Sequence, residues 1–274
     1  MAIVLEKREL TPVTTLFVID APLIAHHAQP GQFVILRVDV HGERVPISLT
    51  DFDPDAGTIT LVVQEVGKTT RLLCALDEGD EVLDLVGPLG RAAPLPDEGH
   101  VVLVGGGFGA GALYPLARDL TARGVRVSSI VGARTADLVI LRDLLESVSD
   151  AYHVCTDDGS CGYHGFTAAL LAEQLEQDVD YTDCIAIGPM PMMRAVAEVT
   201  RPHRLHTLVS LDPIMVDGTG MCGACRISVG GETKFACVDG PFFDAHEVDF
   251  DQAVVRSKMY VDDERLANEL AGAR

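Results

Sequence analysis

The sequence predicts a β-barrel followed by a parallel α/β domain, closed by a C-terminal loop and hairpin that carries candidate metal ligands. Three observations predict it. Six short β-patterned runs fill the first third of the chain, strands alternate with helical patterns after residue 97, and Asp217, Cys222, Cys225 and Cys237 stand in the spacing D-x4-C-x2-C-x11-C. The expected units are 1–96 for the barrel, 97–210 for the α/β domain and 211–274 for the cysteine segment and tail.

Composition bounds the function classes. With 274 residues, 47% of them hydrophobic, a core of two domains or more is readily buried. Net charge is −20 and only four lysines occur, so no basic stripe exists to neutralise a phosphate backbone, and nucleic acid is not expected as a partner. Glu6, Lys7, Arg8 and Glu9 precede any long apolar region, which is not the order of a signal peptide. Seven cysteines without such a signal suit a reducing compartment, so a cytoplasmic protein is expected, with Cys74, Cys155, Cys161 and Cys184 in the core and no disulfide. The longest uncharged run, Val101 to Ala117, is broken by glycines and stops short of a membrane span.

The barrel strands read as Ile3–Leu5, Val13–Asp20, Gln32–Val38, Arg44–Leu49, Thr58–Glu65 and Glu81–Leu85, separated by turn signals such as Gln29-Pro30-Gly31. Two places in it carry chemistry. Arg44, Pro46 and Ser48 put a cation and a hydroxyl on one stretch, suited to a pyrophosphate and a flavin edge or simply to solvent. Gly67-Lys68-Thr69-Thr70 opens a helical run to Leu76, which reads equally as a phosphate-holding helix start or as a plain N-cap.

From Gly90 to Gly99 a proline-interrupted connection marks the first boundary. Beyond it, the buried strand His100–Val104 runs into Gly105-Gly106-Gly107-Phe108-Gly109 and a helix from Ala112 to Ala122, a turn in which a dinucleotide pyrophosphate can approach backbone N–H groups. Strands at Val125–Val131, Tyr152–Thr156, Cys184–Ile187 and His206–Ser210 alternate with helices at Leu138–Val148, Gly165–Gln177 and Met190–Thr200. Their carboxyl ends carry Arg134, Asp157 and Gly188-Pro189, and three such ends in one parallel sheet make a ligand site.

The cysteine spacing is that of a plant-type [2Fe-2S] ligand ladder with aspartate in the first position. Gly218, Gly220 and Gly223 supply the positive φ that a loop wrapped closely around sulfurs requires. A two-residue turn at Gly230-Gly231 sets Val229 against Glu232, and counting back places Cys237 opposite Ala224. Structural zinc and unrelated core thiols are the competing readings. The tail beyond residue 248 reads as an acidic stretch and an amphipathic helix at Asp262–Leu270, packed on the surface or on a partner.

The order of these parts resembles the ferredoxin-NADP reductase superfamily over essentially the whole chain. The segments Met215 to Cys225 and Lys234 to Pro241 are most similar to the small subunits of NADH-dependent reduced ferredoxin:NADP oxidoreductases, with the sulfide dehydrogenase small subunit and the dihydroorotate dehydrogenase electron-transfer subunit as sister groups. The resemblance implies FAD on the barrel, at Arg44, Pro46, Ser48, Gly67, Thr69 and Thr70. It implies NAD(H) on the second domain, with Gly105, Gly106, Gly107 and Gly109 at the pyrophosphate, Arg134 and Asp157 at the adenosine side and Gly188 and Pro189 at the nicotinamide. It also implies a [2Fe-2S] cluster on Asp217, Cys222, Cys225 and Cys237, and no catalytic residue. The partner implied is a larger FAD and [4Fe-4S] subunit resembling the glutamate synthase small chain, which reaches ferredoxin and takes part in electron bifurcation. The electron-transfer subunit of a sulfide or dihydroorotate dehydrogenase is the alternative, and a zinc-containing redox-sensing nucleotide-binding module is the reading from another class.

Overall fold

Strands β1 (Ala2–Thr11), β2 (Thr14–Asp20), β3 (Phe33–Arg37), β4 (Val45–Asp53), β5 (Thr58–Gln64), β6 (Glu81–Val82) and β7 (Asp84–Leu89) form one antiparallel sheet in the order β6-β1-β2-β5-β4-β3-β7. The structure, a computed structural model, describes residues 2–40, 42–177 and 179–272. The edge strands β6 and β7 are separated only by Leu83, whose amide donates to Val38 O at 3.2 Å. One chain segment therefore serves both edges, and the sheet curls into a nearly closed barrel. This corrects the single strand read at Glu81–Leu85. Inside lie Phe17, Ile19, Leu36, Leu49, Ile59 and Leu61, all buried.

Helices α1 (Pro22–His27) and α2 (Lys68–Cys74) border the barrel. The sequence reading lacked α1. It is only six residues long, begins on Pro22, where a missing N–H costs nothing, and buries Ile24 and Ala25. Strand β1 runs well past Leu5 because the charged residues Glu6 to Glu9 pair with Thr15 to Val18 of β2. Pairing overrides local composition there.

The second sheet contains β8 (His100–Gly106), β9 (Arg126–Ala133), β10 (Ala151–Thr156), β11 (Tyr163–His164), β12 (Asp183–Ile187) and β13 (His206–Ser210). Interleaved are α3 (Ala110–Ala122), α4 (Arg142–Ser147), α5 (Thr167–Glu176) and α6 (Met190–Thr200). The helix expected over Leu138–Val148 shrinks to α4, because a 3-10 turn occupies Ala136–Leu138 and Leu141 takes a left-handed φ of 53°. After it come the hairpin β14 (Arg226–Val229) and β15 (Glu232–Phe235), a helical turn α7 (Ala236–Asp239), then β16 (Phe242–Asp244), α8 (Phe250–Ser257) and α9 (Val261–Gly272). Strand β16 joins the second sheet antiparallel to β13, giving the order β11-β10-β9-β8-β12-β13-β16.

Three contacts fix the parts against one another. Arg118 of α3 pairs with Asp51 of β4 and lies 5.0 Å from the Phe52 ring centroid. A Cβ on Gly111 would stand 3.1 Å from Thr50 Oγ1 and 3.2 Å from Val62 Cβ, so α3 rests directly on the barrel wall. Arg91, just after β7, donates from its amide to Gly240 O at 2.7 Å and from Nε to Val238 O at 3.0 Å, tying the cysteine segment back to the barrel.

Candidate functional site

The strand order of the second sheet reverses between β8 and β12, since β8, β9 and β10 run outward one way and β12 and β13 the other. Loops leaving the carboxyl ends diverge at such a point and open a crevice. A cavity of about 620 Å³ lies there, walled by Gly106, Gly107, Arg134, Asp157 and Pro189 and, from the barrel, by Thr14 and Gln64. Five of the residues singled out for the dinucleotide thus converge on one space at the domain seam.

The remaining three, Gly105, Gly109 and Gly188, do not wall it. They let the backbone pack: a Cβ on Gly109 would stand 2.4 Å from Ile187 O, one on Gly188 3.0 Å from Gly106 N, and one on Gly105 3.2 Å from Ala110 Cα. Gly107 differs, with φ +55° and nothing within 4 Å of where its Cβ would be, so its face of the turn is open to a ligand. Arg134 is exposed and has no ion pair among the described residues. In a chain of net charge −20, an uncompensated guanidinium at a strand end is a local attraction for phosphate.

On the barrel, Arg44 precedes β4 while Pro46 and Ser48 alternate along it, Pro46 opposite Ile35 and Ser48 opposite Phe33. Arg44 and Ser48 are exposed, on the same side by the period of two. Thr69 Oγ1 donates to Glu43 Oε2 at 3.2 Å, which brings the start of α2 to the residue beside Arg44. Thr70, the third residue of α2, accepts at Oγ1 from the amides of Val66 and Gly67, both at 3.0 Å, so its hydroxyl reaches back to the N-cap position, where Gly67 has no side chain of its own to cap the helix. Gly67 has open space where a Cβ would lie. A cation without an ion pair among the described residues, an exposed hydroxyl and a helix start with room before it suit an anionic nucleotide cofactor.

The cysteine loop is built as the spacing suggests up to Phe235. Gly218, Gly220 and Gly223 have φ of +72°, +84° and +67°, and Gly230 and Gly231 turn the hairpin with Val229 opposite Glu232. Cys237 is not opposite Ala224 in an extended strand. The ladder ends at Arg226 and Phe235, and Cys237 sits in α7 instead, where Asp239 Oδ2 accepts from Phe235 N at 2.7 Å and starts the helical turn. The turn swings its sulfur inward, so that Cys225 Sγ and Cys237 Sγ lie 3.2 Å apart and both residues are buried. Two thiolates on one tetrahedral metal at about 2.3 Å stand about 3.8 Å apart, so these sulfurs, at 3.2 Å, would have to part by about 0.6 Å to share one metal atom. Burial pushes the Cys237 thiol up to about 12, with the Gly220 amide acting against it.

Asp217 and Cys222 form the other half. Asp217 Oδ1 accepts from Thr219 N and Oδ2 from Cys222 N, both at 2.8 Å, and the Thr219 amide is the main cause of a carboxyl held below its ordinary value. Cys222 is exposed. Among the described residues no three His, Cys, Asp or Glu side chains stand close enough to hold a metal ion, so the four ligands are arranged two and two rather than gathered. The donor chemistry, glycine-lined loop and paired thiols nevertheless fit a small iron-sulfur cluster. The other four cysteines are also free thiols: Cys155 and Cys184 are in the core and Cys74 is half-buried against it, but Cys161, expected there too, lies half-buried in the loop between β10 and β11, outside the core.

Several wall residues escaped the sequence reading: Phe166 and Thr167 at the start of α5, and Pro191 and Met192 in α6. They carry no motif, and only the topology brings them to the crevice.

Residues 212–249 match the family model of the iron-sulfur cluster binding domain of dihydroorotate dehydrogenase B. A Thermotoga maritima homologue of the dihydroorotate dehydrogenase B (NAD(+)) electron transfer subunit is 44% identical over 253 residues, 92% of this chain and 89% of that protein. The corresponding subunit of Geobacillus kaustophilus is 40% identical over 255 residues, 89% and 96% of the two chains. A chain of a solved NADH-dependent reduced ferredoxin-NADP oxidoreductase superposes with a TM-score of 0.93 at 40% identity, over 98% of this chain and 97% of that one. Among the described residues no helix is long and apolar enough to cross a membrane. The fold is shared with that solved structure over nearly its whole length, and this chain belongs to the family of dihydroorotate dehydrogenase B electron-transfer subunits and their homologues, flavoprotein oxidoreductase subunits of ferredoxin-NADP reductase type.

Proposed function

We propose that this chain carries FAD on the barrel, NAD(H) in the crevice and a [2Fe-2S] cluster on Asp217, Cys222, Cys225 and Cys237, and passes electrons between NAD(H) and a larger flavin and iron-sulfur partner, as in NADH-dependent reduced ferredoxin:NADP oxidoreductase. The observation that carries the finer reading is Asp217, an aspartate in the first ligand position with its carboxylate oriented by the Thr219 and Cys222 amides. When bound, the flavin supplies the exchange between two-electron nicotinamide chemistry and one-electron cluster chemistry. The residues of the chain bind and orient. Gly107 leaves its face of the turn open, where a pyrophosphate would lie, Arg134 and Asp157 of the crevice wall would hold the adenosine side, and Pro189 at the start of α6 would hold the nicotinamide side. Arg44, Ser48 and the start of α2 would hold the anionic half of the flavin nucleotide. No general acid or nucleophile is required of the protein.

The second reading, an electron-transfer subunit for a dihydroorotate dehydrogenase, is favoured by the family model over residues 212–249 and by the named relatives. Anaerobic co-expression with each class of large subunit separates the two. The proposal expects a stable complex with the FAD and [4Fe-4S] subunit in which NADPH oxidation drives joint reduction of NAD+ and ferredoxin. Complex formation with a dihydroorotate-oxidising subunit, and NAD+ reduction by dihydroorotate, would replace it. Chain purified without iron or labile sulfide, even from that co-expression, ends both readings.

A further inference from the structure

Helix α5 begins in the wall of the crevice, and its first residue holds a hydroxyl without a partner among the described residues. Thr167 is 3% exposed, and among the described residues nothing stands within hydrogen-bond reach of its Oγ1. The first amides of a helix have no intrahelical acceptor, and Phe166, at the N-cap, contributes no side-chain cap. Thr167, Ala168 and Ala169 all form part of the cavity wall. The Ala169 amide is taken by Phe166 O at 3.0 Å, so the Thr167 hydroxyl and the amides of Thr167 and Ala168 are the donors that the α5 start brings to the same space as the open face of Gly107.

The side chain is seated rather than loose. A Cβ on Gly132 of β9 would stand 2.5 Å from Thr167 Cγ2, so a glycine at this strand end is what admits the threonine. A buried hydroxyl without a partner costs stability, and such a group is retained where a ligand completes it.

We propose that Thr167 and the amide end of α5 form a second anchor for the pyrophosphate of the dinucleotide, donating to phosphate oxygens beside the Gly106-Gly107 turn, whose strand pairs with β9 at Gly132. The assignment rests on the reading of the crevice as the NAD(H) site. It makes Thr167 a binding residue that supplements the glycine turn, and it makes Gly132 the residue that seats it.

The test uses the full chain with its flavin and cluster, in the wild type, Thr167→Val and Thr167→Ser, with NADH, ADP-ribose and adenosine titrated separately. Thr167→Val is expected to weaken NADH and ADP-ribose about tenfold, roughly the worth of one hydrogen bond to a charged group. Thr167→Ser should bind as the wild type, and adenosine should bind all three alike. Thermal midpoints give an independent sign: valine should leave the ligand-free protein as stable or more stable, whereas a hydroxyl with a structural role would lower the midpoint. Unchanged NADH affinity in Thr167→Val overturns the anchor, as does an equal loss for adenosine or a lowered midpoint. Wild-type protein that binds neither NADH nor ADP-ribose overturns the crevice reading itself, a distinct failure.

Discussion

Cys225 Sγ and Cys237 Sγ meet at 3.2 Å although the whole β14–β15 hairpin lies between them in the chain. The hairpin brings Ala236 N to Cys225 O at 3.1 Å, and α7 then turns the next sulfur inward. If the pair holds one iron, Cys237→Ser should abolish most bound iron and labile sulfide, at least an about tenfold loss of metal affinity, while Cys74→Ser at the barrel edge leaves both unchanged. Iron and sulfide assays with the visible spectrum check this; a fully loaded Cys237→Ser protein refutes the ligand assignment.

Gly109 is close against backbone, not against a flexible side chain. A methyl there would stand 2.4 Å from Ile187 O, so the turn or β12 must move. Gly109→Ala is expected to cost about 1–3 kcal/mol, the usual range for overpacking, and to weaken NADH as well. Gly124→Ala is not a fair control, because Gly124 has φ +81°. A denaturation midpoint equal to wild type would show that the crevice is softer than the packing implies.

Arg134 lies on the wall of the cavity without an ion pair among the described residues. Reversing its charge with Arg134→Glu should raise the KM for NADH by about tenfold with kcat little changed, because a contact made equally in ground and transition states is uniform binding. Steady-state kinetics with an artificial electron acceptor measures this. A fall in kcat alone would place Arg134 at the reacting end instead.

The pH dependence of stability has a definite sign. Burial lowers the pKa of His153 and of His246, the latter helped by nearby Arg201, and His246 Nε2 lies 3.0 Å from Thr200 Oγ1. A histidine held below its ordinary value of about 6.5 takes up protons more readily when unfolded. Its contribution is complete above that value and is lost as pH falls through the lower folded value. The histidines' share of the melting point should therefore decline between about pH 7 and pH 5, while Asp212, whose carboxyl burial raises to about 6, acts in the opposite sense, so the double variant His153→Gln with His246→Gln should lose less than the wild type, or gain, over that range. Curves that stay parallel for wild type and double variant would assign the acid sensitivity to other groups.

Much of the site was legible because its chemistry is local. The spacing of Asp217, Cys222, Cys225 and Cys237, the turn at Gly230-Gly231 and the glycine run at Gly105 to Gly109 depend on residues within a few positions of each other. Helix α1 and the division between β6 and β7 were not legible, since neither has a pattern of its own. Cys237 shows the limit within one motif: hairpin register could be counted, but the carboxylate of Asp239 ends the strand and redirects the sulfur.

By itself the sequence determined the order of barrel, parallel sheet and cysteine loop, and the residue types able to hold a nucleotide and a cluster, because turn chemistry and alternation of apolar residues act over short distances. Only the tertiary structure decided which of those residues share a space. It placed Gly106, Gly107, Arg134, Asp157 and Pro189 around one crevice, turned Gly105, Gly109 and Gly188 into packing positions, and brought Thr167 into the wall from a helix without any motif. Strand order is set by burial of both faces of the sheet, a property of the whole chain that no local run of residues encodes.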